Sequence, residues 1–154
     1  MKNLRIDQMD RKILRVLQID NSISVSEIGD RVGLSGSSIW KRIERLKREK
    51  IIKSECAIIN HKILGFNLMA YVSIRIGKHS SSWLEEFSKK ITAFPEVMEF
   101  HRMAGDIDYM LKVMVIDIQA FDLFYKDLIK ISELAEVTSR FSMESIKETT
   151  QIPI

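Results

Sequence analysis

The fold of the first third of this chain can be predicted from residues 21–50, NSISVSEIGDRVGLSGSSIWKRIERLKREK. Ser24 and Glu27 form a Ser-x-x-Glu capping box, and Gly33 can take the left-handed conformation that ends the helix begun there. Ser35 is a suitable cap for the next helix. The pattern therefore predicts two short helices joined by a tight turn.

The second of these helices has one apolar side and one basic side. Ile39, Ile43 and Leu46 form a stripe when each residue advances by roughly 100°, and Trp40, beside this stripe, is expected to pack against the first helix or the following segment rather than touch DNA. The residues predicted to face DNA are Ser37, Ser38, Lys41, Arg42, Arg45 and Arg48, with Arg42 and Ser38 at the margins of that side.

A further helix is predicted upstream, from about Asp7 to Asp20-Asn21, with acidic residues at its N-terminus and a buried side that includes Ile13. Three short helices with a basic third helix are typical of a helix-turn-helix, whose third helix enters the major groove of double-stranded DNA. Lysine and arginine neutralise phosphates and reach guanine edges, while serine allows close approach of the backbone. The alternative is that the basic side is merely solvated.

The charge distribution favours DNA binding over that alternative. The chain of 154 residues has a net charge of +3, but residues 1–56 contain 13 basic and 8 acidic residues, a net charge of +5, which leaves −2 for the rest. A local excess of this kind suits a polyanionic partner.

The remaining sequence predicts a second, α+β domain. Residues 51–59 look extended, and Ala70, Val72, Ile74 and Ile76 alternate with more polar residues as in a strand with one buried face. Three further strands, near 97–103, 109–115 and 137–146, and two helices, capped by Ser82 and Asp117, give the order β-α-β-β-α-β. This is a ferredoxin-like fold with both helices on one face of an antiparallel sheet. We expect the DNA-binding domain to span 1–56, a hinge 57–67 and the ferredoxin-like domain 68–154.

The other face of that sheet is predicted to be partly apolar, so another surface is expected to pack against it. Its candidate residues are Met69, Tyr71, Met98 or Met110, and Met114. An apolar face of this size is unfavourable in a monomer, and packing two such sheets together removes it. We therefore expect a homodimer, although a tail or the linker is an alternative cover.

Composition argues against several other classes of protein. No segment is long and apolar enough to span a bilayer, and the N-terminus lacks the apolar core of a signal peptide, so a cytoplasmic protein is expected. Cys56 is the only cysteine, and the histidines are scattered. Neither a disulfide, nor a metal site, nor a bound cofactor, nor a catalytic residue is predicted.

Four motifs in the right order make nearly the whole chain resemble the feast/famine regulators, the leucine-responsive and asparagine-regulator (Lrp/AsnC) family. They are Asp7-Gln8-Met9-Asp10-Arg11-Lys12-Ile13-Leu14 with Leu17-Gln18, Val32-Gly33-Leu34-Ser35, Arg42-Ile43-Glu44-Arg45-Leu46, and Gly105-Asp106-Ile107-Asp108-Tyr109. The resemblance implies an N-terminal DNA-binding domain, a hinge, and a C-terminal domain that dimerises and assembles dimers into octamers or other higher oligomers. It also implies a small effector, often an amino acid, bound where dimers meet.

The resemblance further implies that Gly105, Asp106 and Asp108 bind the effector, with Ser139 and Ser142 as the nearest equivalents of polar residues on the family's last strand. A carboxylate suits an α-amino group, and N–H groups around a glycine suit an α-carboxylate. On the residues alone, Gly105-Asp106 is equally an ordinary hairpin turn. Gly36 departs from the proline that relatives commonly have there.

Three functions are therefore compared. The first is a regulator that binds DNA as a homo-oligomer under the control of an amino acid. The second is an architectural protein that wraps DNA and has no effector. The third is a small-molecule enzyme on the ferredoxin-like domain, which is disfavoured because no nucleophile-base pair, phosphate loop or metal-ligand cluster is recognisable.

Overall fold

The computed structural model describes residues 6–77, 80–131 and 134–154. The chain divides into two compact units. The first contains the residues up to Ile58 together with the tail Lys147–Ile154, and the second contains Ile59–Ile146. The ferredoxin-like domain predicted from the sequence, 68–154, includes this tail.

The first unit contains the three expected helices. They are α1 (Gln8–Ile19), α2 (Val25–Val32) and α3 (Gly36–Arg48). The capping box of Ser24 and Glu27 is present, and Gly33 ends α2 with φ of 80°. Ser35 caps α3 as predicted. Local hydrogen bonding therefore fixes where these helices begin and end.

The apolar sides of the three helices meet in one core. Ile13 of α1, Ile28 of α2, and Ile39 and Ile43 of α3 are buried together. Close packing also depends on Gly29, because a Cβ there would lie 2.5 Å from the backbone oxygen of Leu34. The stripe predicted for α3 is thus the surface that packs on the other helices.

The chain leaves α3 through a second left-handed residue, Lys50, with φ of 57°. The N–H groups of Ile51 and Ile52 both donate to Leu46 O, at 2.9 and 3.2 Å. The predicted extended segment 51–59 follows, but it belongs to no strand among the residues described.

The second unit confirms the order β-α-β-β-α-β. Its elements are β1 (Leu68–Arg75), α4 (Ser81–Thr92), β2 (Val97–Arg102), β3 (Tyr109–Val115), α5 (Ile118–Lys130) and β4 (Glu136–Phe141). The strands form an antiparallel sheet in the order β2-β3-β1-β4. Aromatic and aliphatic residues of α4 and α5 share one core with one face of the sheet.

Two predicted details of this unit are wrong. Helix α4 is capped by Ser80, whose hydroxyl accepts from Trp83 N at 3.3 Å, and not by Ser82. Consecutive serines are equivalent as caps in sequence, and only the chain path selects one. Strand β4 ends at Phe141, which pairs with Ala70 of β1, short of the predicted residue 146.

Candidate nucleic-acid interface

The solvent-facing side of α3 carries Ser37, Lys41 and Arg48, exposed as predicted, together with the exposed Glu44. At the start of the helix, the Ser35 hydroxyl accepts from Ser38 N at 3.4 Å and lies 3.2 Å from the Ser37 hydroxyl. This side therefore presents short hydroxyl side chains at the N-terminus and long cations farther along.

Arg42 and Arg45 are held differently from the prediction that they face solvent. Arg42 Nη1 donates to Asp10 Oδ1 at 2.8 Å and to Asp7 Oδ2 at 2.6 Å, and Arg45 Nη2 donates to Asp10 Oδ2. Their side chains are only 28% and 31% exposed. A helical wheel gives the direction of the Cα–Cβ bond only, whereas a long arginine bends around the helix to reach a buried carboxylate.

Asp10 is the centre of this arrangement, which we call the Asp10 clamp: Asp7, Asp10, Arg42 and Arg45. The Asp10 side chain is completely buried. It also accepts from Asp7 N at 3.0 Å, while Asp7 Oδ1 accepts from Asp10 N at 2.8 Å, which forms a reciprocal capping box at the start of α1. One carboxylate thus both starts α1 and joins it to α3.

The clamp lowers the pKa of Asp7 to about 2. The main cause is the hydrogen bond from the Asp10 backbone, followed by the hydrogen bond from Arg42. Acidic residues at this helix start were predicted for their interaction with the helix dipole, and their pairing with α3 was not predicted. The sequence pattern that indicates this clamp is Asp7 and Asp10, three residues apart at the start of α1, together with Arg42 and Arg45, three residues apart in α3. Side chains spaced in this way lie on the same side of a helix and can meet.

Trp40, which was predicted to pack against the first helix or the following segment, is largely exposed. The residue is 56% exposed, so it does not pack into the core of the unit. The wheel places it between Gly36 and Glu44, on the flank of α3 opposite the clamp. An indole on this flank adds an apolar and aromatic surface beside the basic residues.

The hairpin between β2 and β3 contains three of the predicted effector residues, and they are not equivalent. Gly105 has φ of 141°, a conformation that favours glycine, and Asp106 is exposed. The Asp108 carboxylate accepts from Ile76 N at 2.8 Å, just beyond the end of β1. Asp106 therefore has its carboxylate on the surface, whereas Asp108 already braces the backbone.

The other two predicted effector residues lie elsewhere in the chain. Ser139 is paired with Val72, and its buried hydroxyl makes no hydrogen bond within the described part of the protein. Ser142 N donates to Met69 O at 2.9 Å, at the far end of β1 from Asp108. With a strand rise of ~3.3 Å per residue, this end is roughly 20 Å from the hairpin. The five residues thus do not form one site within one chain.

The sheet face that points away from the helices is partly apolar, as predicted. The pairs Met69–Met114 and Tyr71–Lys112 lie on it, and Met110 pairs with Ser73. Tyr71 is 40% exposed, and Met98 is exposed at the irregularity of β2.

Three ion-paired side chains, Glu99, His101 and Lys112, lie on the same face. Glu99 lies 3.0 Å from Lys112 Nζ and 3.1 Å from His101 Nε2. The hydrogen bond from His101 and then that from Lys112 lower the pKa of Glu99. The face therefore combines methionine and tyrosine surface with a network of ion pairs.

No group of three or more His, Cys, Asp or Glu side chains that could hold a metal ion occurs in residues 6–77, 80–131 and 134–154. Over the same ranges, every helix is too short or too polar to cross a membrane.

Comparison with known proteins identifies two domains in the chain, the second of which includes the tail as far as Ile152. The sequence profile of the AsnC-type helix-turn-helix domain matches residues 6–47, and that of the Lrp/AsnC ligand binding domain matches residues 69–152. The fold and the basic third helix define a DNA-binding protein with an attached α+β domain. The chain belongs to the Lrp/AsnC family of DNA-binding transcription regulators.

The relatives are similar along almost their full length. The chain is 40% identical to the DNA-binding transcriptional activator DecR of Escherichia coli, covering 97% of this chain and 99% of DecR. It is 37% identical to the glutamate uptake regulatory protein of Zymomonas mobilis, over 97% and 92% of the two chains.

Solved structures give the same result. An AsnC family transcriptional regulator from Agrobacterium tumefaciens matches with a TM-score of 0.94 and 43% identity, over 96% of this chain and 97% of that one. A transcriptional regulator from Neisseria meningitidis, solved as a complex with L-methionine, matches with a TM-score of 0.92 and 29% identity, over 97% of both chains.

Proposed function

We propose that this protein is a sequence-specific regulator of transcription that inserts α3 into the major groove of double-stranded DNA. The observation that carries the proposal is the exposed side formed by Ser37, Lys41 and Arg48, on a helix fixed against α1 by the Asp10 clamp. The excess of positive charge in residues 1–56 supports the same partner.

The six residues predicted to bind DNA take two roles in this proposal. Ser37, Lys41 and Arg48 contact DNA directly, because their side chains are exposed. Ser38 supports the start of α3 through its hydrogen bond with the Ser35 hydroxyl, at 2.9 Å. Arg42 and Arg45 orient α3, and their partly exposed guanidinium groups add positive charge at the edge of the interface.

We infer that a small amino acid modulates DNA binding or assembly. The match of residues 69–152 to a ligand-binding domain and the L-methionine complex of the Neisseria relative support this proposal. Gly105 and Asp106 are the proposed contacts, because the Asp106 carboxylate is exposed beside backbone that only glycine adopts readily. Asp108 holds the hairpin to β1 by its hydrogen bond with Ile76 N. Ser139 and Ser142 are too far along the sheet to join a site at the hairpin of the same chain.

The protein is also proposed to act as a homodimer, with larger assemblies built from dimers. The face that bears Met69, Tyr71, Met110 and Met114 is the proposed dimer surface, because pairing two copies would bury its apolar groups. Analytical ultracentrifugation across a concentration series tests this, and Tyr71→Glu is expected to shift the mass toward the monomer.

Fluorescence anisotropy tests the DNA proposal. The protein is titrated into DNA from upstream of its own gene and into scrambled DNA over a salt series. We expect tighter binding to the upstream DNA, with affinity that falls steeply as salt rises. Lys41→Ala is expected to weaken binding and to reduce the salt dependence, whereas Lys126→Ala, an exposed lysine of the second unit, is the matched control. Equal binding to both DNAs would support an architectural protein instead.

The effector proposal is tested by calorimetry with the protein amino acids, beginning with L-methionine. Asp106→Asn keeps the size and turn preference of the side chain but removes its charge, so we expect loss of the ligand response with DNA binding retained. Asp127→Asn, an exposed aspartate of α5, is the control. If no amino acid binds, or if Asp106→Asn responds normally, Asp106 is not an effector ligand.

A further inference from the structure

The tail Lys147–Ile154 lies against α1 of the first unit, although the chain reaches it from β4 of the second. The side-chain amide of Gln18 in α1 makes two hydrogen bonds with the backbone of Ile152. Gln18 Oε1 accepts from Ile152 N at 2.7 Å, and Gln18 Nε2 donates to Ile152 O at 3.3 Å. One turn earlier in α1, Arg15 Nε donates to Ile154 O. Two side chains on the same side of α1 thus bind alternate residues of the tail.

Arg15 and Gln18 contact the backbone of the tail, and the tail side chains are mostly not buried. Ile152 remains 63% exposed, and most tail residues are exposed. A primary amide that pairs with both the N–H and the C=O of one residue copies the pairing of a neighbouring strand, so it requires an extended tail at a fixed register. Such a contact is specific in geometry but buries little apolar surface, and contacts of this kind open at low cost.

The contact matters because the tail follows directly after the second unit in the chain but belongs to the first unit. The Ser142 N–H still pairs with β1, and Lys147 already belongs to the first unit, so only a short connection separates β4 from the tail. The units are therefore joined by covalent chain at two places, after Ile58 and before Lys147. The second connection thus leads from β4 to a tail bound by α1, and the Asp10 clamp joins α1 to α3.

We propose that residues 147–154 are a strap, gripped by Arg15 and Gln18, through which the sheet-bearing unit limits the freedom of the DNA-binding unit and so sets DNA affinity. The part that concerns DNA affinity rests on the proposed DNA-binding function. The strap itself does not, because its existence is tested without DNA.

The first test is chemical cross-linking of the full chain. Ile19→Cys with Ile152→Cys, in a Cys56→Ser background, is treated with a short bismaleimide. Ile19 is exposed and adjacent to Gln18, so both Arg15 and Gln18 stay in place. We expect a cross-linked product with the mass of one chain, and Gln8→Cys with Ile152→Cys, at the start of the same helix, is the control that should react far less. A product with the mass of two chains, or no product, would overturn a strap within one chain.

The second test measures the consequence of releasing the strap. A variant that ends at Ile146 and the variant Gln18→Ala are compared with Gln8→Ala, the same substitution in the same helix. We expect faster hydrogen exchange in the C-terminal half of α1 for the first two only. On DNA with two half-sites, their affinity should fall about fivefold or more, because binding must then order a freer unit, while affinity for a single half-site stays unchanged.

These outcomes separate the strap from the DNA proposal. If the intact protein binds no DNA, the proposed function fails, while the cross-link and the exchange rates still decide whether the strap exists. If the intact protein binds DNA and both released variants bind the two-half-site DNA equally well, the strap does not set affinity and the inference is wrong.

Discussion

Replacing Asp10 by asparagine perturbs the Asp10 clamp at its centre. The substitution keeps the shape of the side chain, but one oxygen becomes an amide group that cannot accept from an arginine. Asp10 is fully buried and pairs with Arg42 and Arg45. The variant therefore leaves two guanidinium groups facing a neutral side chain, and its amide nitrogen replaces the acceptor either of Arg42 or of both Arg45 and the Asp7 N–H.

The magnitude follows from burial. Breaking a buried ion pair by removing one partner costs roughly 3–5 kcal/mol. The Arg42 and Arg45 side chains remain 28% and 31% exposed, so water stabilises part of the charge that is left. We therefore expect Asp10→Asn to lower the free energy of unfolding of the first unit by about 2–3 kcal/mol.

The assay is urea denaturation followed by circular dichroism at 222 nm, with Asp30→Asn as the control. Asp30 is an exposed aspartate of α2, and its substitution should change stability by less than about 0.5 kcal/mol. A double-mutant cycle with Arg45→Gln should show that the two losses are not additive. If Asp10→Asn were as stable as Asp30→Asn, the clamp would not hold α1 to α3.

Three further predictions concern the same unit. Gly29→Ala places a Cβ 2.5 Å from a backbone oxygen and should cost about 2 kcal/mol in urea denaturation, whereas Gly36→Ala, which meets no atom within 4 Å, should be far milder; equal stability of the two would contradict the close approach. Because the pKa of Asp7 is lowered from 3.8 to about 2 in the folded protein, its contribution to stability is present above pH 3.8 and is lost as the pH falls through about 2. Asp7→Asn should remove that part of the acid dependence in thermal melts at several pH values, and an unchanged profile would refute it. In a Trp83→Phe protein, the emission of Trp40 should change as DNA saturates α3, and constant emission would show that Trp40 lies outside the interface.

Local patterns were sufficient for much of the fold. Caps depend on residues three apart, so Ser24 with Glu27 and Asp117 located the starts of α2 and α5. Strict alternation likewise identified β1, whose Ala70, Val72 and Ile74 are fully buried. Where a pattern was degenerate, as for Ser80 and Ser82, the prediction chose the wrong residue.

Long-range contacts account for what the sequence did not show. Arg45 belongs to the basic side of α3 by its position in the helix, yet its partner Asp10 lies 35 residues earlier. The family resemblance suggested Ser139 and Ser142 as effector residues together with Asp108. The register with β1 places Ser142 at the opposite end of that strand from Asp108. Neither fact is encoded in spacing along one segment.

The helix-turn-helix, the order β-α-β-β-α-β and the family could be predicted from the amino-acid sequence alone, because they follow from periodicity, caps and motifs that act over a few residues. The folded chain was needed to show which arginines of α3 pair with carboxylates, that the tail Lys147–Ile154 contacts α1, and which hairpin carboxylate stays exposed. The physical reason is that a side chain many residues away can satisfy a charge or a backbone group, and only the folded chain brings such partners together.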